Sequence, residues 1–416
     1  MDSVSKTFCA LPWLHLATNA SGQVRLCCNV QPGQGLIRDR NGAPFTLNTD
    51  RPLEEIWNAE NFRETRRQML GGEWPAACGR CRREEAAGVA SSRQGWNDHF
   101  AREIPAAIAA TDAEGRAPLN IRYADLRLGN LCNLKCRMCN PYASRKWLED
   151  WEQVNEPLSA SETKRLSSID WFHDPRAWDL LAVALKDCEQ VYFTGGEPLL
   201  IDEHRRFLEL CIANGRAGAM TLKYNTNLTL LPKELLDLWM PFKKLRLNCS
   251  LDGVGALNDY IRHPSRWSIV ARNIESLNEL GLRHPKKMRL TFHVTVQAYN
   301  FLRLPEILDF VRGKQGFTSL PYLNILDRPE HLNIGQMPED LKNESIARLE
   351  RWMAKNAEFL TRCDPTYVDK LRGLAAYAKS QLATSARQAE FRRFTERLDT
   401  HRKQRLSDLV PEFGAC

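Results

Sequence analysis

No stretch of this chain is apolar over the roughly 20 residues that a membrane-spanning helix needs, and none is repeated or of low complexity. Charge of one sign is also scarce. The 58 basic and 51 acidic residues leave a net +7 over 416 residues, a small excess that does not indicate a nucleic-acid partner. No secretory leader is expected either. Phe8–Ala17 is apolar but short, it contains Cys9, Pro12 and His15, and Asp2 offsets Lys6. The expectation is a cytoplasmic protein with no membrane segment. With 43% hydrophobic and 26% charged residues, the chain is an ordinary globular one, long enough for two or three domains.

Clustered cysteine is what stands out instead. Thirteen cysteines in a chain of this length do not resemble a disulfide scaffold, and their clustering fits metal binding in a reducing compartment. Cys132-Asn-Leu-Lys-Cys136-Arg-Met-Cys139 has C-x3-C-x2-C spacing. Three thiolates can hold three irons of a cubane and leave the fourth open. A closed cluster wants a fourth cysteine nearby, as does structural zinc, and the next cysteine is the distant Cys188. An open iron can bind a small molecule, so the spacing points to chemistry rather than electron storage. A second set comprises Cys9, Cys27, Cys28, Cys78 and Cys81. Cys27 and Cys28 are adjacent on an expected strand and face opposite ways, so only one of them should ligate. Zinc and an iron–sulfur cluster both suit such a set. Cys188, Cys211, Cys249 and Cys363 read as small apolar residues, and Cys416 as incidental.

The elements follow from periodicity. Leu14–Cys28 reads as a hairpin turning at Ala20-Ser21-Gly22. A helix starts near Pro52 with Asp50 as its cap, another ends at Gly71-Gly72, and Cys78 and Cys81 enter a third. Residues 103–120 read as a connector. Strands are expected at Ile121–Leu128, Gln190–Thr194, Met220–Asn225, Lys244–Leu251, Met288–Gln297 and Leu320–Leu326. Helices between them include Trp178–Lys186, His204–Ala213 and Ile269–Leu280. Alternation of this kind predicts an α/β fold with a parallel sheet. Expected domains are a cysteine-rich metal-binding unit at 1–105, the strand–helix unit at 121–330 and a helical C-terminal region at 331–416. In that last region Phe391, Phe394 and Leu398 suggest a solvated helix docked by one apolar stripe, with Arg392, Arg393, Arg397 and Arg402 around it.

One face of the strands is polar. It carries Asp125 and Arg127, then Lys223, Asn225 and Asn227, then Arg246, Asn248, Ser250 and Asp252, then Arg289, Thr291, His293, Thr295 and Gln297. Closed parallel barrels are apolar on both faces. A polar face must therefore line a cavity holding water or a polar ligand, with Arg246 and Arg289 facing solvent at strand ends.

The cysteine triad together with Gly195-Gly196-Glu197-Pro198 at the end of the next strand resembles the radical S-adenosylmethionine (SAM) superfamily. The resemblance implies a partial (βα)6 barrel and a [4Fe–4S] cluster on Cys132, Cys136 and Cys139. It also implies that the open iron chelates SAM, whose reductive cleavage gives a 5′-deoxyadenosyl radical that abstracts hydrogen. Met138 replaces the aromatic residue common before the last cysteine. By the same resemblance Gly195, Gly196 and Glu197 meet the SAM amino group, Asn225 or Asn227 a ribose hydroxyl, Ser250 the ribose or carboxylate, and Arg262 the carboxylate. Glycines suit close backbone approach, and a guanidinium grips a carboxylate bidentately.

Cys9-x12-Gly22-x4-Cys27 followed by Cys78-x2-Cys81 resembles the auxiliary-cluster segment called twitch, the shortened SPASM domain. This implies a second [4Fe–4S] cluster on Cys9, Cys27, Cys78 and Cys81, with zinc as the alternative. Here the segment precedes the barrel, whereas better-known members carry it after. The implied activity is hydrogen abstraction from a small polar substrate, ending in a two-electron oxidation assisted by the second cluster, with a flavodoxin or ferredoxin as electron donor. The alternative is peptide maturation by crosslinking or epimerisation. Since the chain begins eight residues before Cys9, that would need a separate peptide-binding partner. Asp252 and His293 are candidates for the base. His15 reads as a satisfied hairpin histidine, and Trp13, Trp57 and Trp74 as a small core around the second metal set.

Overall fold

A computed structural model of the chain describes residues 5–30 and 34–414. Asp2 and Cys416 lie outside the described residues. Eight strands are present among them: β1 His15–Thr18, β2 Val24–Arg25, β3 Tyr123–Leu128, β4 Gln190–Gly195, β5 Thr221–Thr226, β6 Lys244–Ser250, β7 Met288–Val296 and β8 Tyr322–Ile325. The six expected barrel strands therefore form, each within three residues of its expected ends. No helix among the described residues is long and apolar enough to cross a membrane.

The chain divides into two compact units. One holds the residues up to Asn130 with Ser168–Tyr224 and Lys233–Lys243. The other holds Leu131–Ser167, Asn225–Pro232 and the residues from Lys244 onward.

In the first unit the strand order is β2-β1-β3-β4-β5. β1 and β2 form the expected antiparallel hairpin, pairing Ala17 with Arg25 and Thr18 with Val24. Gly22 makes the turn in the left-handed region (φ 73°), where a Cβ would also strike Trp171 at 2.6 Å. β1 then runs parallel to β3, pairing His15 with Tyr123 and Ala17 with Asp125. A connection between parallel strands has to be long, and residues 19–122 supply it.

β3, β4 and β5 are parallel and in register, so that Asp125, Tyr192 and Lys223 share one face. On the other face Ala124, Leu126, Val191, Phe193, Leu222 and Tyr224 are fully buried. The Phe193 ring meets Phe207 of the helix Glu203–Ala213, and Tyr224 meets Trp239. Each such ring contributes about 1.5–3 kcal/mol by burial.

In the second unit β6, β7 and β8 are parallel. β7 alternates as expected: Leu290, Phe292, Val294 and Val296 are buried, while Thr291, His293 and Thr295 are half-exposed. Val270, Ile274, Leu277 and Gly281 recur at helical spacing along Trp267–Arg283 and form its buried stripe. Helices Glu339–Lys355, Ala357–Cys363, Tyr367–Ser380 and Ser385–Arg402 follow. The α/β class, the barrel strands and the helical C-terminal region agree with the expectation from sequence.

Several local expectations do not hold. Pro52, not Asp50, occupies the cap of the helix Leu53–Trp57; Asp50 instead accepts a bond from Arg176 at 3.0 Å. Residues 103–120 are more than a connector. They contain the helix Ile104–Ala109, and Gly115 O and Ala117 O accept bonds from Arg66 and Asn58. Cys363 is exposed, unlike the buried Cys188, Cys211 and Cys249. Phe391, Phe394 and Leu398 are buried as expected, but so is Arg402.

Candidate functional site

In the second unit the triad loop is held by its own backbone. Lys135 N donates to His263 O at 2.7 Å, Arg137 N to Ile261 O at 2.8 Å, and Cys139 N to Cys136 O at 2.9 Å. Trp147 Nε1 donates to Cys136 O at 2.8 Å. Cys136 is buried, with Cys132 and Cys139 half-buried. The Cys136 and Cys139 thiols, both free, share a hydrogen bond. That bond holds Cys136 down to about 7, against its burial, with Arg262 assisting. It pushes Cys139 up, and burial adds to the rise. Two thiols that meet in this way fit a shared metal cluster.

The charged residues between the cysteines were not singled out from the sequence. Lys135 reaches Asp150 at 2.5 Å, and Arg402 Nε reaches the same buried carboxylate at 2.8 Å. Arg402 also donates to Lys135 O at 3.0 Å and lies over the Trp147 ring. Arg137 is fully buried, stacks 3.6 Å over the Tyr260 ring and pairs with Asp399. The C-terminal helix thus grips the cysteine loop at two points. The alternation of Lys135 and Arg137 with the cysteines was the one available signal. Asp150 and Arg402 are 252 positions apart, and no sequence pattern links them.

The other expected residues of this unit have the following surroundings. Asp252 is fully buried. One carboxylate oxygen accepts from Thr295 N at 2.7 Å and the other pairs with Arg262. Burial raises its pKa, and Arg262 opposes the rise. Arg262 is also within electrostatic reach of Cys136 and Cys139, and its Nε has no partner among the described residues. Asn227 Nδ2 donates to Asn133 Oδ1 at 2.9 Å and lies 3.8 Å from Cys132 Sγ; its Oδ1 accepts from Thr229 N at 3.0 Å. Asn225 Oδ1 accepts from Asn248 Nδ2 at 2.7 Å. Ser250 pairs in register with His293, whose ring lies 4.9 Å from that of Tyr322.

In the first unit Gly195 ends β4 with φ 126°. A Cβ there would lie 2.8 Å from Gly129 O and 2.9 Å from Leu128 N, so only glycine fits. Gly196 N donates to Gly129 O at 3.1 Å. Glu197 is fully buried and its carboxylate accepts from Leu199 N at 3.2 Å.

Cys9, Cys27, Cys78 and Cys81 line a single cavity in that unit, with Leu11, Val30 and Arg93 beside them. Burial pushes the Cys9 thiol well up, and the other three thiols of the set add to this. Cys78 is pushed up to about 12 by burial, with Cys27 and Cys81 adding. Four mutually close thiols suit a cation that displaces their protons.

Cys28 is not in the cavity lining. Its thiol groups instead with His15 and Asp125. The reason expected from sequence is corrected, because β2 ends at Arg25 and both cysteines lie beyond the strand. They diverge nonetheless. A cage holds the set in place. The buried Arg66 donates twice to Pro12 O, at 3.0 and 2.8 Å, and stacks on Trp57 and Phe62. Trp13 and Trp57 are buried as expected, and Trp74 lies under Arg93.

The satisfied-histidine expectation for His15 fails. Its side chain is fully buried and neither ring nitrogen has a partner among the described residues. Burial lowers its pKa to about 3, so the ring is neutral.

Residues 126–311 match the model of the radical SAM superfamily, and residues 9–82 match that of an iron-sulfur cluster-binding domain, SPASM. The second match spans all four thiols of the cavity. Residues 126–311 thus belong to the radical SAM superfamily, with a SPASM-type iron–sulfur segment ahead of them in the chain. An uncharacterized protein of Archaeoglobus fulgidus is 28% identical over 221 residues, covering 52% of this chain and 45% of that protein. The GTP 3′,8-cyclase of Mycolicibacterium smegmatis is 33% identical over 155 residues, 36% of each. The match thus spans less than half the length of either curated relative. Among solved structures, Streptococcus suis SuiB bound to S-adenosylmethionine is 18% identical, covering 69% of this chain and 57% of that one at a TM-score of 0.34.

Proposed function

We propose that this chain uses SAM to abstract a hydrogen atom from a small polar substrate and completes a two-electron oxidation through a second cluster. Four thiols lining one cavity carry this reading. A cluster with four protein ligands has no open iron for substrate, which leaves it the role of electron acceptor. Cys132, Cys136 and Cys139 would hold the first cluster, which with bound SAM supplies the radical chemistry. The Gly195-Gly196 strand end gives SAM a close backbone approach. Ser250 and the free Nε of Arg262 offer it polar contacts.

Arg262 enters this role already balanced by Asp252, so it arrives oriented rather than mobile. With both Asp252 oxygens engaged, His293 is the stronger candidate base. Asn227 braces the Cys132 side of the loop, leaving Asn225 for a ribose hydroxyl. The half-exposed polar residues of β7, Thr291, His293 and Thr295, would orient the substrate. A flavodoxin- or ferredoxin-type donor in a reducing cytoplasm would supply the first electron.

Anaerobic reconstitution tests this. The wild type should hold about eight irons, falling to about four in Cys132→Ala/Cys136→Ala/Cys139→Ala. 5′-Deoxyadenosine should form under dithionite in the wild type alone. About four irons falling to none, with zinc retained, would remove the second acceptor and the oxidation reading with it. Isotope-labelled small polar substrates and peptides, screened for label transfer to 5′-deoxyadenosine, then separate oxidation from peptide maturation.

A further inference from the structure

β1 and β3 run parallel with His15 beside Tyr123 and Ala17 beside Asp125. This register puts the His15 ring and the Asp125 carboxylate on one face of the sheet. Just past the end of β2 the chain turns and brings the Cys28 thiol to them. The ligand atoms of His15, Cys28 and Asp125 all lie within 4.8 Å of one another. His15 is fully buried, its ring stacks on Tyr123 at 4.7 Å, and neither of its nitrogens has a partner among the described residues. One oxygen of the buried Asp125 also lacks a partner among the described residues. Buried polar atoms without partners are rare and costly. Two such groups converging beside a thiol mark a place where something else binds.

We propose that His15, Cys28 and Asp125 form a mononuclear metal site for a borderline divalent cation, zinc foremost, separate from both cysteine clusters. The donor set is one nitrogen, one sulfur and one oxygen, which suits Zn²⁺. A thiolate and a carboxylate offset its two charges. Three protein ligands leave a tetrahedral ion one open position. The face is shared with Tyr192 and Lys223, and Lys223 sits 4.3 Å over the Tyr192 ring. Arg127, Lys223 and Arg25 all act electrostatically on Asp125. These cations oppose a bare dication but favour an anionic fourth ligand, a hydroxide or a substrate carboxylate. The competing account is that they alone balance Asp125 and no metal enters.

The test uses the full chain with its iron–sulfur clusters reconstituted anaerobically. After exposure to Zn²⁺ and desalting, the wild type should retain about one zinc beyond its iron. Cys28→Ser and Asp125→Asn, both close in shape to the native residues, should weaken zinc binding at least tenfold with iron unchanged. Co²⁺ in place of zinc should give a high-spin resonance against oxidised, diamagnetic clusters, altered in both variants. Zinc absent from the wild type, or retained equally by both variants, would overturn the proposal. Loss of iron rather than zinc in Cys28→Ser would overturn it as well, since Cys28 would then belong to the SPASM cluster. None of these outcomes depends on whether that cluster accepts an electron.

Discussion

Asp150→Asn probes how the C-terminal helix holds the cysteine loop. The Asp150 carboxylate is fully buried and serves Lys135 at 2.5 Å and Arg402 at 2.8 Å, whose side chains are 10% and 1% exposed. Removing it leaves the buried Arg402 with no carboxylate among the described residues and Lys135 with only the exposed Glu149, at 3.0 Å. Breaking a buried pair from one side costs about 3–5 kcal/mol. The loss falls on local opening of this segment, because Lys135 lies in the loop and Arg402 covers the Trp147 that bonds Cys136 O. At 1.36 kcal/mol per tenfold, opening should become on the order of 100-fold more frequent or greater. The assay is the rate of thiol labelling at Cys136, read by mass spectrometry on cluster-free protein. A rise of less than about tenfold, with circular dichroism unchanged, would refute the reasoning. The pH dependence has a definite sign. Burial alone would raise the Asp150 pKa, but bonds from Lys135 and Arg402 bring it below the usual carboxylate value. Its stabilisation is therefore present above the unfolded value of about 3.9 and is lost as pH falls through the lower folded value. The variant should lose that acid limb of the wild-type stability curve.

Gly195→Ala places a Cβ 2.8 Å from Gly129 O at φ 126°, a strain of about 1–3 kcal/mol; 5′-deoxyadenosine formation should fall at least tenfold while the iron bound to the SPASM set is retained. Arg66→Met leaves Pro12 O and Gly115 O without their donor. At about 1–3 kcal/mol for each buried group left unpaired, it should lower the unfolding midpoint of the cysteine-rich segment and speed its loss of iron to a chelator. Arg262→Met strands the buried Asp252, and at about 3–5 kcal/mol should show a clear fall in thermal midpoint, with weaker SAM binding by calorimetry.

Strand positions were legible because the two faces of each strand differ so sharply. In β7 the buried Leu290, Phe292 and Val294 alternate with the half-exposed Thr291, His293 and Thr295, and in β4 Val191 and Phe193 are wholly buried between half-exposed neighbours. The triad and the C-x2-C pair were legible for a different reason: their spacing is a local constraint. What was hidden depends on distant partners. Asp50 looks like a cap until Arg176 takes its carboxylate. Residues 103–120 look like a connector until Arg66 and Asn58 bind Gly115 O and Ala117 O. Arg402 reads as one of several solvated arginines on its helix, and only the buried Asp150 singles it out. Buried ion pairs of this kind follow from tertiary geometry, to which neither propensity nor periodicity has access.

The hairpin's register links the SPASM cysteines to the strand face. Side chains alternate along β1, so a slip of one residue against β3 would exchange its faces. Leu16 would then take the place of His15 beside Tyr123, and the chain entering from Cys9 through the helix Leu11–Leu14 would be displaced with it. Two features oppose that slip. Arg127 N donates to Thr18 Oγ1 at 3.0 Å at the far end of the pair, and Arg122 N donates to Leu14 O at 2.9 Å at the near end. The same hairpin ends by sending Cys27 into the four-thiol cavity and Cys28 toward Asp125. A substitution that shifts β1 should therefore disturb iron binding and the His15 cluster together, whereas Cys27→Ser and Cys28→Ser should each disturb one alone.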